Sequence, residues 1–266
     1  EPSNKVLTSG TMSDDQGFNY FKSETGIEQL STYQVFEGKT TSPFDYRHNT
    51  RLYISDNVPF PNPLNMGYIK GLADEITRLV QATYGHTAIL FTSYRLLFKV
   101  YELVKDNLKE YPLIQMTRSN KNAISDFKKS GNGVLFASGS MWEGVDCIGD
   151  ILSSVIIVKL PFPIRDEVLE EKKNSCDNLS VFINRYIIPQ MMIKLKQGMG
   201  RLIRSETDTG VISILDYRAS KNGAYHNRVL QAAEKYPLIH TIDEVEQFIK
   251  ETKDDTYFSD KPEGTS

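Results

Sequence analysis

Gly133-Val-Leu-Phe-Ala137, running into Ser138-Gly-Ser-Met-Trp-Glu-Gly-Val-Asp146, is the stretch that decides the fold. Five apolar or small residues without polar alternation predict a strand buried on both faces, as in a parallel sheet. A glycine-bearing loop directly behind such a strand lies where doubly wound sheets collect ligands, at the carboxyl ends of their strands. Gly139 and Gly144 allow close backbone approach, and successive N–H groups can cradle an anion. Asp146 suits either a hydrogen bond from a ribose hydroxyl or the capping of a turn. Trp142, the only tryptophan, reads as a packing anchor for the loop rather than a base-stacking contact.

The same strand–helix rhythm extends outward. Strands are predicted at 88–92, 113–116, 133–137, 155–159 and 211–215, and helices at 68–83, 94–107, 120–130, 166–174, 178–199, 228–235 and 242–252. Pro189 should kink the longest of these helices. The alternation predicts a mostly parallel sheet with helices on both faces. Upstream, Lys5 to Ser9 reads as a strand, and Gln16 to Ser23 as a helix capped by Asp14 and Asp15. Residues 24–62 read as irregular, apart from a strand at Arg51 to Ile54 and turns around Pro59, Pro61 and Pro63. The resulting division is 1–12, a connecting region 13–62, the main α/β domain 63–252 and a flexible tail 253–266. An opening on Glu1 marks the chain as a fragment or processed product.

Composition narrows the classes. A net charge of −3 excludes a generally basic nucleic-acid coat, so any such contact must be local. The two cysteines, Cys147 and Cys176, form no C-x-x-C pair and no zinc pattern, which fits a reduced cytoplasmic setting with no metal. There is no apolar run long enough to cross a membrane, so no membrane association is expected. Lys128 and Lys129 read as a solvated helix end, and His48, His86, His226 and His240 show no catalytic spacing.

A second motif stands downstream: Gln197-Gly-Met-Gly-Arg-Leu-Ile-Arg204. If helical, the spacing of Arg201 and Arg204 places both guanidiniums on one face. Each is a planar fork suited to bidentate grip on phosphate oxygens. Two arginines alone would be a solvated patch; the glycines, Gln197 and the upstream loop favour a phosphate-directed pair.

Together the two motifs resemble the second motor lobe of superfamily-two helicases of the DinG type, related to the XPD-like helicases. Ser138 to Asp146 is similar to the family's fifth motif, and Gln197 to Arg204 to its sixth, Q-x-x-G-R-x-x-R. Phe91-Thr-Ser-Tyr94 resembles the fourth, and Thr8-Ser-Gly-Thr-Met12 the third, with Gly10 where alanine is usual. Ser42-Pro-Phe-Asp-Tyr46, Leu160-Pro-Phe-Pro163 and Asp208 to Arg218 also fit, so the resemblance spans roughly residues 5 to 250.

The resemblance implies a RecA-like three-layer α/β lobe. It implies that Arg204, as principal arginine finger, and Arg201 reach ATP across an interlobe cleft while Gln197 orients phosphates or water. Glu143, Gly144, Asp146 and Gly200 would meet nucleotide; Thr92, Ser93, Tyr94, Ser138 and Ser140 would meet single-stranded DNA. Ser9 and Thr11 would couple hydrolysis to movement, and Ser93 is equally suited to capping a helix. ATP and Mg²⁺ would belong to the complete enzyme, because the sequence contains no G-x-x-x-x-G-K-[ST] loop and no D-E-A-H-like box, which the family carries on its N-terminal lobe. That lobe is thus an implied partner, and the chain alone should be inactive. The resemblance leaves a second reading open: a nucleic-acid-binding lobe serving a 3′–5′ exonuclease with little unwinding. A module whose arginines only hold nucleic-acid phosphates is a third.

Overall fold

The computed structural model describes residues 5–13, 17–30, 34–117, 120, 122–139 and 147–259. Contacts divide the chain into two compact units, one of Pro43–Leu160 with Gly198–Ser266 and one of Glu1–Ser42 with Pro161–Gln197.

The larger unit is built on seven strands: β1 (Thr50–Ile54), β2 (Thr87–Phe91), β3 (Leu113–Gln115), β4 (Val134–Ser138), β5 (Ser154–Ile157), β6 (Gly210–Ile214) and β7 (Leu238–Ile239). Their order is β3-β4-β2-β5-β6-β1-β7, and every pairing is parallel. β2, β4, β5 and β6 are buried at every position. One face, through residues such as Ile89, Phe91, Phe136, Ile156 and Val211, joins a single apolar cluster. The alternate positions Leu90, Leu135, Val155, Ile157 and Ile212 are equally buried, so both faces of the sheet are covered. This is a RecA-like α/β fold.

The helices that pack the clustered face are α3 (Met66–Ala82), α4 (Tyr94–Val104) and α10 (Ile242–Thr252). Their sequences explain their limits. Asn65 starts α3 by accepting from the Gly67 N–H, and α3 then buries Ile69, Leu72, Ile76, Leu79 and Val80 on one stripe. Thr241 and Glu244 form a reciprocal capping box on α10. This unit also holds α2 (Tyr46–Asn49), ahead of β1, and α5 (Ala123–Lys129) and α9 (His226–Ala232), between α4 and α10 in sequence. Lys128 and Lys129 occupy the exposed last turn of α5.

The smaller unit is helical, with α1 (Asn19–Thr25), α6 (Glu167–Asn174), α7 (Leu179–Phe182) and most of α8 (Ile188–Met199). Lys172 ties α6 to α1 through both oxygens of Glu24, at 2.6 and 2.8 Å, and stands over the Tyr186 ring. Directly ahead of α8 and of Pro189, where a kink is expected, stands a π-helical turn over Ile183–Ile187. Proline supplies no N–H, so the ladder slips one residue there rather than breaking.

Four expectations are corrected. Residues 5–9 are not a strand: Val6 and Leu7 are 85% and 55% exposed, and the segment pairs with no strand among the described residues. α1 begins at Asn19, not Gln16, and Phe18 precedes it without a side-chain cap; Asp14 and Asp15 lie outside the described residues. β7, only two residues long, carries too little apolar pattern to announce itself. The first part of the expected flexible tail is a helix, α11 (Asp255–Ser259), seated by buried Tyr257. The Tyr257 hydroxyl donates to the Thr83 carbonyl at 2.7 Å and its ring stacks on His86 at 3.9 Å.

Candidate nucleotide and nucleic-acid site

Parallel strands give the sheet two distinct edges, and the expected site residues of the larger unit separate between them. At the carboxyl edge, Ser138 ends β4 in register with Phe91 at the end of neighbouring β2. Thr92 and Ser93 therefore follow one strand while Gly139 follows the next. Ser93 caps α4, its hydroxyl accepting from the Leu96 N–H at 3.3 Å, and leaves the first-turn N–H groups of α4 facing that edge. Ser93 itself is exposed, and Tyr94 stacks loosely on Phe98 with centroids 6.5 Å apart. The Ser138 hydroxyl is buried without a hydrogen-bond partner, and Gly139 follows with φ of +70°, a conformation glycine adopts without strain. Ser140, Trp142, Glu143, Gly144 and Asp146 lie outside the described residues.

The same edge carries Asp216 beyond β6. This fully buried carboxylate grips the Arg218 guanidinium at 3.0 and 2.6 Å and accepts from the Leu160 N–H at 2.8 Å. It fixes the turn behind β5 to the turn behind β6.

The arginine segment lies elsewhere. α8 ends at Met199, so Gly200, Arg201 and Arg204 are in the turns that follow, and the shared helical face expected for the two arginines does not exist. Gly198 and Gly200 explain the early stop, since glycine is about 1 kcal/mol poorer than alanine within a helix. What holds the Arg204 backbone is a carboxylate. Asp208, 3% exposed, accepts from the Arg204 and Ser205 N–H groups at 2.7 and 2.8 Å, from the Ser205 hydroxyl at 2.6 Å and from the Gly149 N–H at 3.0 Å. Burial pushes the Asp208 pKa upward, but the Ser205 hydroxyl and three N–H donors outweigh it and hold the carboxyl below its ordinary value.

One residue on, the Thr209 carbonyl accepts from the Lys253 ammonium at 2.8 Å, which also donates to Asp150 at 2.6 Å. Burial lowers the Lys253 pKa, with Asp150 and Asp208 opposing it. Gly149 and Asp150 precede β5, and Asp208 and Thr209 precede β6, so this whole assembly sits at the amino edge. Gly210 closes it: an added Cβ would collide with the Ser153 carbonyl and lie 2.8 Å from Leu202 Cδ1. Sequence reading gave Asp208 no role; the available signal was an acid followed by Thr-Gly just ahead of a strand, a turn-forming arrangement.

In the helical unit, Gln197 Nε2 donates to the Thr11 hydroxyl at 3.4 Å, and Thr11 in turn lies against Ser9, whose hydroxyl accepts from the Thr11 N–H at 3.2 Å. Gln197 is thus brought together with both expected coupling residues. Among the described residues no group of three His, Cys, Asp or Glu side chains could hold a metal ion, and no helix is long and apolar enough to cross a membrane.

A fully parallel, RecA-like sheet with hydroxyl residues at its carboxyl edge and the Asp208-held arginine turn at its amino edge defines an α/β lobe of the RecA-like class. Comparison with known proteins gives the family. The profile described as Helicase C-terminal domain matches residues 76–236. The chain is 34% identical over 220 residues to the ATP-dependent DNA helicase YoaA of Escherichia coli K12, covering 82% of this chain and 34% of that protein. It is 28% identical over 239 residues to the 3′–5′ exonuclease DinG of Staphylococcus saprophyticus, covering 87% and 26%. The XPD helicase structure superposes with a TM-score of 0.61 at 18% identity, covering 88% of this chain and 42% of that one. The chain belongs to the helicase C-terminal domain family, as the C-terminal lobe of a DinG-type superfamily-two helicase. It spans about a third of the length of the YoaA relative.

Proposed function

We propose that this chain, residues 63–252 above all, is the C-terminal half of an ATP-dependent DNA helicase or translocase. The observation that carries this reading is the family match over residues 76–236, which contains both arginines and both carboxyl-edge serines. ATP is the substrate and is held with Mg²⁺ by the N-terminal lobe. From the amino edge, Arg204 stabilises charge on the transferring phosphoryl group and Arg201 supports it; such a finger is worth about 10³-fold or more in rate. Gln197 orients phosphates or water, and Ser9 with Thr11 couples that event to movement through the Gln197 contact. Thr92, Ser93, Tyr94, Ser138 and Ser140 form the contact with the backbone of single-stranded DNA, through backbone N–H groups, hydroxyls other than the buried one of Ser138, and the helix N-terminus of α4. Glu143, Gly144, Asp146 and Gly200 contact nucleotide. The isolated chain hydrolyses essentially no ATP.

The test is single-strand-stimulated ATP hydrolysis by the full-length protein, with and without Arg204→Ala. Collapse of hydrolysis with nucleotide binding retained supports the reading; equal rates refute it. The DinG relative named as a 3′–5′ exonuclease supports a second reading, a lobe that positions DNA for a nuclease. Strand degradation by the full-length protein without ATP, and no DNA-stimulated hydrolysis, would favour it.

A further inference from the structure

We infer that Asp208 is a positioning residue that sets the catalytic placement of Arg204; the inference rests on the function proposed above. Arg204 stands in turns, beyond the end of α8, so no helical ladder fixes its backbone. Its N–H is instead held at 2.7 Å by Asp208 Oδ2, which also accepts from the Ser205 N–H at 2.8 Å. The other oxygen, Oδ1, is tied to Gly149 N at 3.0 Å and Ser205 Oγ at 2.6 Å. One carboxylate, 3% exposed, therefore joins the arginine turn to the chain that leads into β5. That anchor is itself fixed, because Lys253 bridges the adjacent residues Asp150 and Thr209 at 2.6 and 2.8 Å.

A carboxylate is required here because all four groups are donors, and an ionised carboxylate accepts without donating. In Asp208→Asn the amide nitrogen brings two donors against a set of N–H and O–H donors, so one side of the clamp must open. β4 and β5 are both parallel to β2, so Ser138 ends β4 at the carboxyl edge while Gly149 stands ahead of β5 at the amino edge. Asp208 joins the residues just ahead of β5 to the arginine turn.

The experiment is a double-mutant cycle in the full-length protein: wild type, Asp208→Asn, Arg204→Ala and the double variant, assayed for ATP hydrolysis with saturating single-stranded DNA. Misplacing a catalytic group by about 1 Å costs on the order of 100-fold. Asp208→Asn should lower kcat tenfold to a hundredfold with KM for ATP within about twofold, and should cost less than about twofold further once Arg204 is gone. The milder Ser205→Ala, which removes only one donor, should show the same kcat-selective fall at a few-fold size. Independent, multiplying losses in the cycle, or a wild-type kcat in a folded Asp208→Asn, would overturn the inference. If Arg204→Ala itself is inert, the functional reading fails instead, and the two failures are distinguished by that single variant.

Discussion

His86 should make this lobe sensitive to mild acid. It lies between α3 and β2 at φ of +47°, is 1% exposed, and stacks on Tyr257 of α11. Burial lowers its pKa from 6.5 to about 4, with the Tyr257 carbonyl at Nε2 opposing only part of that shift. The folded lobe keeps the ring neutral while the unfolded chain protonates it, so the unfolded state binds more protons as pH falls below 6.5. Stability from His86 is complete above that value and is lost progressively down to the folded pKa. For these two values, moving from pH 7 to pH 5 removes about 2 kcal/mol. The window lies above the range in which the lowered carboxylates, Asp208 among them, begin to titrate. The comparison variant is His86→Asn, because asparagine tolerates positive φ and does not titrate. Urea unfolding followed by circular dichroism at pH 7, 6 and 5 gives each stability. The variant should start roughly 1–2 kcal/mol lower for want of the stacked ring, yet lose less than about 0.5 kcal/mol across the window. Parallel losses in both proteins would refute the assignment of the acid sensitivity to this histidine.

Gly210→Ala should destabilise by about 2–3 kcal/mol or prevent folding, because the new methyl meets the Ser153 carbonyl, which is already engaged with the Val211 N–H; a wild-type melting temperature would refute the close approach. Lys253→Met should cost about 1–2 kcal/mol in thermal unfolding, less than a fully buried pair, because Asp150 stays half exposed while the Thr209 carbonyl loses its partner. Tyr257→Phe should cost about 1 kcal/mol by removing the hydroxyl bond to the Thr83 carbonyl, whereas Tyr257→Ala should cost about 3–5 kcal/mol and expose the Tyr84–His86 turn to hydrogen exchange.

The sheet was legible because buried parallel strands have no solvent face to hide in. Val134 to Ala137 and Ala88 to Phe91 are apolar throughout, and the second lies between α3 and α4, helices that each bury one apolar stripe. The limits shifted by only a few residues, as at α3, where the start is set by the Asn65 cap. Segments whose order depends on contacts distant in sequence were not legible. α11 looks like a charged tail, and only the docking of Tyr257 against residues more than 150 positions earlier makes it a helix. Residues 5–9 show the converse: with Val6, Leu7 and Thr8 they read as a strand but pair with no strand among the described residues.

Motif spacing found the residues of the candidate site but misjudged how they are held. Helical periodicity brought Arg201 and Arg204 together on paper, while the structure ends the helix first and holds the Arg204 backbone through Asp208. The distinction has a mechanical consequence. Five-residue strands separate the two edges by about 17 Å, and a sheet buried on both faces is too closely packed to deform smoothly. On the proposed reading, nucleotide is sensed at the amino edge and DNA at the carboxyl edge, so the strands act as rigid spacers. Asp208 is then the fixed point of the arginine turn: it holds the Arg204 backbone and the Gly149 N–H ahead of β5, so its loss should free Arg204 without the movement of any strand.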